Sequence, residues 1–230
     1  MHARITGLLL VLLVMTLPAF GAQSFIGSYS GNIITPDAVI TPTGSWELSF
    51  HDFIDVLGNN EDLTSVGAIY GLAENLEVGV TFLNNDQSDL AISGKLRIVQ
   101  ETATVPAVIV GVFDATGTAD IIDDDPGFYL ALSKNVTPFA TDIADQPSRP
   151  LRLTIGFGSG LFDGIFAGLD WTLEERLSLM LEYLNQGSFQ NGSEVNAGIR
   201  YAWTNTLRLD AATIDFEDFA FGLTFASRFQ

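Results

Sequence analysis

The sequence predicts an all-β fold: an antiparallel transmembrane β-barrel of about 12 strands, preceded by a cleaved signal peptide. Three observations carry that reading. The last stretch, Asp218 to Gln230, puts Phe219, Phe221, Leu223, Phe225 and Phe229 on one side at period two. Ala220, Gly222, Thr224, Ala226 and Arg228 fall on the other. An aromatic side backed by a small or polar side suits a wall between lipid and a wet lumen. Beyond the N-terminus no segment reaches the ~20 apolar residues of a transmembrane helix, although 47% of residues are hydrophobic and only 17% are charged. Finally, charge is sorted by connection. Asp52, Asp55, Glu61, Asp62, Asp86, Asp89, Asp114, Asp163, Asp215, Glu217 and Asp218, with Asp120 and Asp123 to Asp125, fall in alternate loops that hold no Lys or Arg. A soluble sandwich has no reason to sort charge by loop parity, whereas a barrel with two chemically different ends does.

Residues 1–22 read as a secretory signal: a basic start (His2, Arg4), an apolar run from Leu8 to Leu17, then Pro18 and the small-residue site Ala19-Phe20-Gly21-Ala22. The run is too short to span a bilayer. The chain has 0 Cys, so neither a lipid-anchor cysteine nor a disulfide framework is expected. Export without cysteine fits a Gram-negative periplasm or outer membrane. By length the mature chain is one domain, and a net charge of −18 argues against nucleic acid as a partner.

Residues 23–44 are rich in Gly, Ser, Thr and Pro. Pro36 and Pro42 remove ladder donors, which excludes a central strand. The segment reads as a lead-in lying under or inside the barrel mouth. The barrel itself spans residues 45–230. Its first strand alternates Trp46, Leu48 and Phe50 with Glu47, Ser49 and His51, and the second covers Thr64 to Tyr70. The third sets Leu76, Val78, Val80 and Phe82 against Glu77, Gly79 and Thr81; the fourth sets Leu90, Ile92, Leu96 and Ile98 against Ser93, Lys95 and Arg97. Val105 to Phe113 is apolar on both faces, and Phe128 to Ser133 follows. Leu151 to Gly158 then sets Leu, Ile and Phe against Arg152, Thr154 and glycines. Two strands flank Trp171 to Arg176, and the tenth and eleventh alternate through Glu194 to Tyr201 and Leu207 to Ala211.

A repeated turn supports the hairpins. Tyr70-Gly-Leu-Ala-Glu-Asn-Leu76, Trp171-Thr-Leu-Glu-Glu-Arg-Leu177 and Tyr201-Ala-Trp-Thr-Asn-Thr-Leu207 each place an aromatic six residues before a leucine. An aromatic at a strand end beside a tight turn is the sequence form of an interfacial girdle. These short turns are assigned to the periplasmic end; Lys134 to Pro150, with Pro138, Pro147 and Pro150, is the long exception.

Gly31-Asn-Ile-Ile-Thr-Pro-Asp-Ala-Val-Ile-Thr-Pro-Thr-Gly-Ser-Trp46 resembles the Gly-x-Ile-x-Thr-Pro-x-Ala opening of YjbH-type outer-membrane proteins, and the turn from Tyr70 to Val80 is similar to turns in such barrels. The specific part covers about Gly31 to Phe50. The resemblance implies a short single-domain member and a role in exopolysaccharide production or export. Phe225 and the penultimate Phe229 likewise resemble the C-terminal assembly signal of bacterial outer-membrane barrels, which implies the barrel assembly machinery as a partner.

The candidate site is an inward charged set: Glu47, Glu77, Lys95, Arg97, Arg152, Glu182, Glu194, Arg200, Arg208, Asp210 and Arg228. Buried charges of both signs are expected to pair with one another into a rigid plug. The alternative is a narrow channel whose arginines guide an anion or acidic sugar. Asp120, Asp123, Asp124 and Asp125 form a candidate divalent-cation loop, without the spacing of an EF-hand. No catalytic residue, resident metal or cofactor is assigned. His51, the only histidine of the mature chain, reads as a polar lumen residue, because no serine motif accompanies it. Expected surroundings are outer-membrane lipid and lipopolysaccharide, in the cell outer membrane. Two rival classes stand beside this reading: a barrel enzyme acting on lipids, and a soluble periplasmic sandwich that binds a ligand.

Overall fold

The computed structural model describes residues 22–57, 61–85, 88–119, 125–137, 150–189 and 192–227. It forms a closed antiparallel barrel of twelve strands in which each strand pairs with its sequence neighbours and the last closes on the first. The strands are β1 (Trp46–Leu57), β2 (Glu61–Ala73), β3 (Leu76–Asn84), β4 (Ser88–Val99), β5 (Ala107–Phe113) and β6 (Gly127–Asn135). They continue with β7 (Leu151–Gly158), β8 (Gly164–Glu174), β9 (Leu177–Leu184), β10 (Glu194–Ala202), β11 (Leu207–Ile214) and β12 (Asp218–Ala226). The expected count and order hold, and closure leaves no strand edge unpaired. The soluble sandwich is thereby set aside. The signal residues 1–21, Arg228, Phe229, Asp120, Asp123 and Asp124 lie outside the described residues.

The closing seam pairs Glu47 with Ala226 and Leu48 with Phe225, and Phe225 also meets Leu207 on the other side. One strand runs further than its alternation alone suggests. β1 continues past His51 to Leu57 through an irregularity between Phe53 and Leu57, where Asp55 takes φ 60°. An aspartate tolerates that left-handed turn, so the strand bends and continues.

The outer wall is apolar along its height, with Leu48, Phe50, Phe82, Ile92, Leu153, Ile155, Ile199, Phe221 and Phe225 exposed. Trp46, Tyr70, Trp171, Tyr201 and Trp203 ring the short-turn end, while Phe128, Phe157, Ile165 and Phe219 stand towards the acidic-loop end. Aromatic rings thus flank the apolar wall at both rims, with tryptophan confined to the short-turn end.

Inside, the lumen is filled in two layers. Towards the acidic loops, Phe53, Leu63, Leu83, Phe113, Tyr129, Phe162, Phe166 and Leu184 form a dry apolar core. Towards the short turns, the inward positions turn polar and charged: Glu47, Ser49, His51, Glu77, Lys95, Arg200 and Asp210 are all buried. Aromatics lie across glycines on neighbouring strands. A Cβ on Gly111 would sit 2.2 Å from the Tyr129 ring, and one on Gly156 would sit 2.3 Å from Phe166. Only a hydrogen fits there, so the ring covers the gap in the wall.

Candidate functional site: a lumen closed by the N-terminal segment

Residues 22–41 lie inside the barrel, and the chain then leaves it through the exposed Thr43 and Gly44. Phe25, Ile26, Tyr29, Ile33 and Ile34 are fully buried and pack into the apolar layer. The Phe25 ring stacks on His51 with centroids 4.5 Å apart, and Tyr29 meets Phe162 edge-on at 5.7 Å. Only short internal contacts shape the segment: bridges Gln23 to Ser30 and Gly31 to Pro36, and turn bonds such as Phe25 N–H to Ile33 O at 2.8 Å. A chain this irregular cannot satisfy its own backbone, and inside a membrane barrel the wall must do so.

The wall meets that requirement by charge type. Its carboxylates accept the segment's N–H groups. Glu47 Oε2 takes Gln23 N–H at 3.2 Å. Glu77 takes Ser30 N–H at 2.7 Å and Thr41 N–H at 2.8 Å, with both hydroxyls. Glu182 takes the N–H groups of Ile33, Ile34 and Thr35. The wall's cations donate to the segment's carbonyls. Lys95 Nζ reaches Ser30 O at 2.7 Å and Asp37 O at 3.1 Å, while Arg200 Nη2 reaches Gln23 O at 2.9 Å. Among themselves the charges pair as Glu77–Lys95 at 3.1 Å, Asp210–Arg200 at 2.8 Å and Glu47–Arg208 at 3.0 Å.

Close approach between wall and segment is made possible by inward glycines. A Cβ on Gly67 would fall 2.0 Å from Gly27 O, one on Gly79 2.0 Å from Ser28 O, and one on Gly71 2.1 Å from Pro42 O. Gly27 itself has φ 92°, a left-handed turn that glycine takes without strain.

The remaining inward residues lie at the ends of the lumen. Glu194 bonds Asn196 Nδ2 and Ser188 N–H near the acidic loops. Arg97 donates to Glu74 O at the short-turn rim, apart from the buried pairs. Arg152 meets Glu101 at 2.8 Å. Glu101 is a clamp that its place in a non-repeating connection concealed. Its carboxylate also takes Asn135 N–H at 2.8 Å and faces Lys134 at 3.7 Å. Burial raises its pKa, but the Asn135 N–H and the Arg152 and Lys134 charges outweigh that and hold it below the ordinary glutamate range. A depressed carboxylate contributes its stability above the unfolded pKa, and that contribution is lost as pH falls through the lowered folded value. Acidification below pH ~4 is therefore expected to lower the protection factor of the Asn135 amide, its exchange rate relative to that of an unstructured chain at the same pH, by about two- to fivefold, the scale of a solvent-accessible ion pair. Glu101→Gln should remove the pH dependence.

His51 Nε2 lies 3.1 Å from Asp210 Oδ2, deep beneath Phe25. Among the described residues no serine hydroxyl hydrogen-bonds to it, so the nucleophile–base geometry of a lipid hydrolase is not assembled. Asp125 is the one described member of the acidic tetrad, and no metal-holding cluster of His, Cys, Asp or Glu occurs among the described residues.

A closed antiparallel barrel with an apolar outer wall, rimmed by aromatics and with its charged and polar residues turned inward, is a protein of the bacterial outer membrane. Solved structures agree on the fold. The KdgM porin superposes with a TM-score of 0.56 at 10% identity, over 81% of this chain and 99% of that one. A second structure of it, in complex with disordered oligogalacturonate, gives a TM-score of 0.52 at 10% identity, over the same 81% and 99%. Omp33 of Acinetobacter baumannii gives 0.50 at 10% identity, over 81% of this chain and 98% of that one. No protein-family model matches the sequence, and no curated protein is similar to it in sequence.

Proposed function

We propose that the protein is a non-enzymatic, porin-like outer-membrane barrel held closed by its own N-terminal segment, serving the production or passage of a cell-surface polysaccharide. The filled lumen carries the reading: residues 22–41 occupy the space a solute would need, and wall groups satisfy their backbone on several sides. The polysaccharide half rests on the YjbH-type motif, whose residues Gly31 to Thr41 are part of the plug itself. A porin of like fold in complex with an oligogalacturonate lends it further support.

Planar-bilayer conductance tests both halves. The full chain is expected to be silent, and deletion of residues 23–44 is expected to give steady channels. Oligosaccharides added to the opened barrel should then interrupt the current. A silent deletion variant that still migrates as a folded barrel would remove the plug reading. An open variant indifferent to acidic and neutral oligosaccharides would remove the polysaccharide half alone.

A further inference from the structure

We propose that the backbone of Ile33 to Thr35 is a carboxylate-binding nest, that Glu182 is its resident carboxylate, and that this occupancy latches the plug. The proposal rests on the plug reading above and assigns its control to one side chain.

Glu182 is 1% exposed, on the inner face of β9. Oε1 accepts from Ile33 N–H at 2.9 Å, Ile34 N–H at 3.1 Å, Thr35 N–H at 2.8 Å and the Thr35 hydroxyl at 2.7 Å, while Oε2 accepts from Ile34 N–H at 3.0 Å. Three successive N–H groups converging on one oxyanion form the concavity that binds phosphates and carboxylates elsewhere. The wall is shaped for it. Gly168 is the cross-strand partner of Glu182, and a Cβ there would lie 2.4 Å from Asn32 Nδ2 and 2.9 Å from Thr35 Oγ1. The nest and the carboxylate therefore meet over a gap left in β8.

Glu182 differs from the other two wall glutamates that hold the segment. Glu47 has Arg208 and Glu77 has Lys95, so each keeps a cation when the segment leaves. Among the described residues no basic group makes an ion pair with Glu182. Its charge is compensated by the plug alone, and the three N–H groups have no other acceptor. Each side is costly without the other. An arrangement so mutually dependent is two-state: seated, or withdrawn with both surfaces wetted.

The chain has 0 Cys, so one introduced thiol reports the plug cleanly. Ser28 is 1% exposed and its hydroxyl meets that of Ser93 at 2.9 Å, which makes Ser28→Cys a near-isosteric probe. In S28C alone, labelling by a water-soluble maleimide should be slow. Adding Glu182→Ala should speed it roughly tenfold or more, as expected for several unmade bonds to a charged group. Acetate fits the space that the truncation leaves and should slow labelling again, whereas chloride at the same concentration should not. Glu182→Gln, which keeps the volume but turns an N–H₂ towards the nest, should label faster than S28C and ignore acetate; it carries the test if the alanine variant does not fold.

Labelling unchanged by either substitution overturns the latch. In the Glu182→Ala variant, faster labelling that acetate cannot slow overturns the nest, because it makes Glu182 a space-filler; in Glu182→Gln, labelling that acetate slows overturns it. The deletion of residues 23–44 separates this outcome from the plug reading. If the deletion conducts while E182A stays protected, only the latch fails. If the deletion is silent, the plug reading fails first.

Discussion

Replacing Lys95 with methionine is expected to destabilise the barrel by about 3–5 kcal/mol, the cost of stranding buried charge. Methionine keeps the length of the side chain but removes the cation. Lys95 is fully buried, with Nζ 3.1 Å from Glu77 Oε1 and 3.6 Å from Asp37 Oδ1, and Asp37 is itself only 5% exposed. The same ammonium donates to Ser30 O, Asp37 O and the Ser30 hydroxyl. One group thus balances a wall carboxylate and a plug carboxylate while satisfying two plug carbonyls. Urea unfolding of the lipid-reconstituted protein measures the loss. Combining Lys95→Met with Glu77→Gln should recover part of it, since the two act in one network. A loss under ~1 kcal/mol would mean that water already screens this cluster.

Gly67→Val should unseat the plug while leaving the barrel intact. The substituted Cβ would meet Gly27 O at 2.0 Å and Gly27 Cα at 2.5 Å. Both are backbone atoms, so no rotamer change relieves the clash. Overpacking of this kind costs about 1–3 kcal/mol in a core, and here the strain is released by expelling the segment. The variant should conduct in planar bilayers where the parent is silent. In the chain lacking residues 23–44 the same substitution should change stability by under ~0.5 kcal/mol, since nothing is left to collide with. Equal losses in both backgrounds would place the strain in β2 itself.

Much of the wall was legible in the sequence. Period-two rows such as Trp46, Leu48, Phe50 and Phe219, Phe221, Phe225 gave the lipid face, because a strand's side chains alternate without exception unless a bulge intervenes. Loop parity of charge gave the two ends. The same alternation says which residues point inward but not what they touch. The expectation was that inward charges bind one another. Glu77–Lys95, Asp210–Arg200 and Glu47–Arg208 do. Glu182 instead binds backbone, and Arg97 binds a turn carbonyl.

Such partners are main-chain atoms of a segment without periodicity, and no side-chain pattern encodes where they will lie. One signal of it does lie in the sequence: inward positions held by Gly67, Gly71, Gly79 and Gly168 leave vacancies along the lumen wall. A barrel that omits so many inner side chains has something else to accommodate. Glu101 was missed for a plainer reason, since a single acid in an irregular connection carries no pattern.

The plug also bears on the order in which the chain assembles. Its bonds to β1 through β4 join residues 24 to 65 apart in sequence, whereas those to β9 and β10 join residues 147 to 177 apart. Shorter loops close at lower entropic cost and sooner. The segment is therefore expected to settle on the first two hairpins before its Ile33 to Thr35 turn meets β9. On that order the later strands would curl around a form that the N-terminal residues have already set, and the β1–β12 seam would zip over a cast that stays inside.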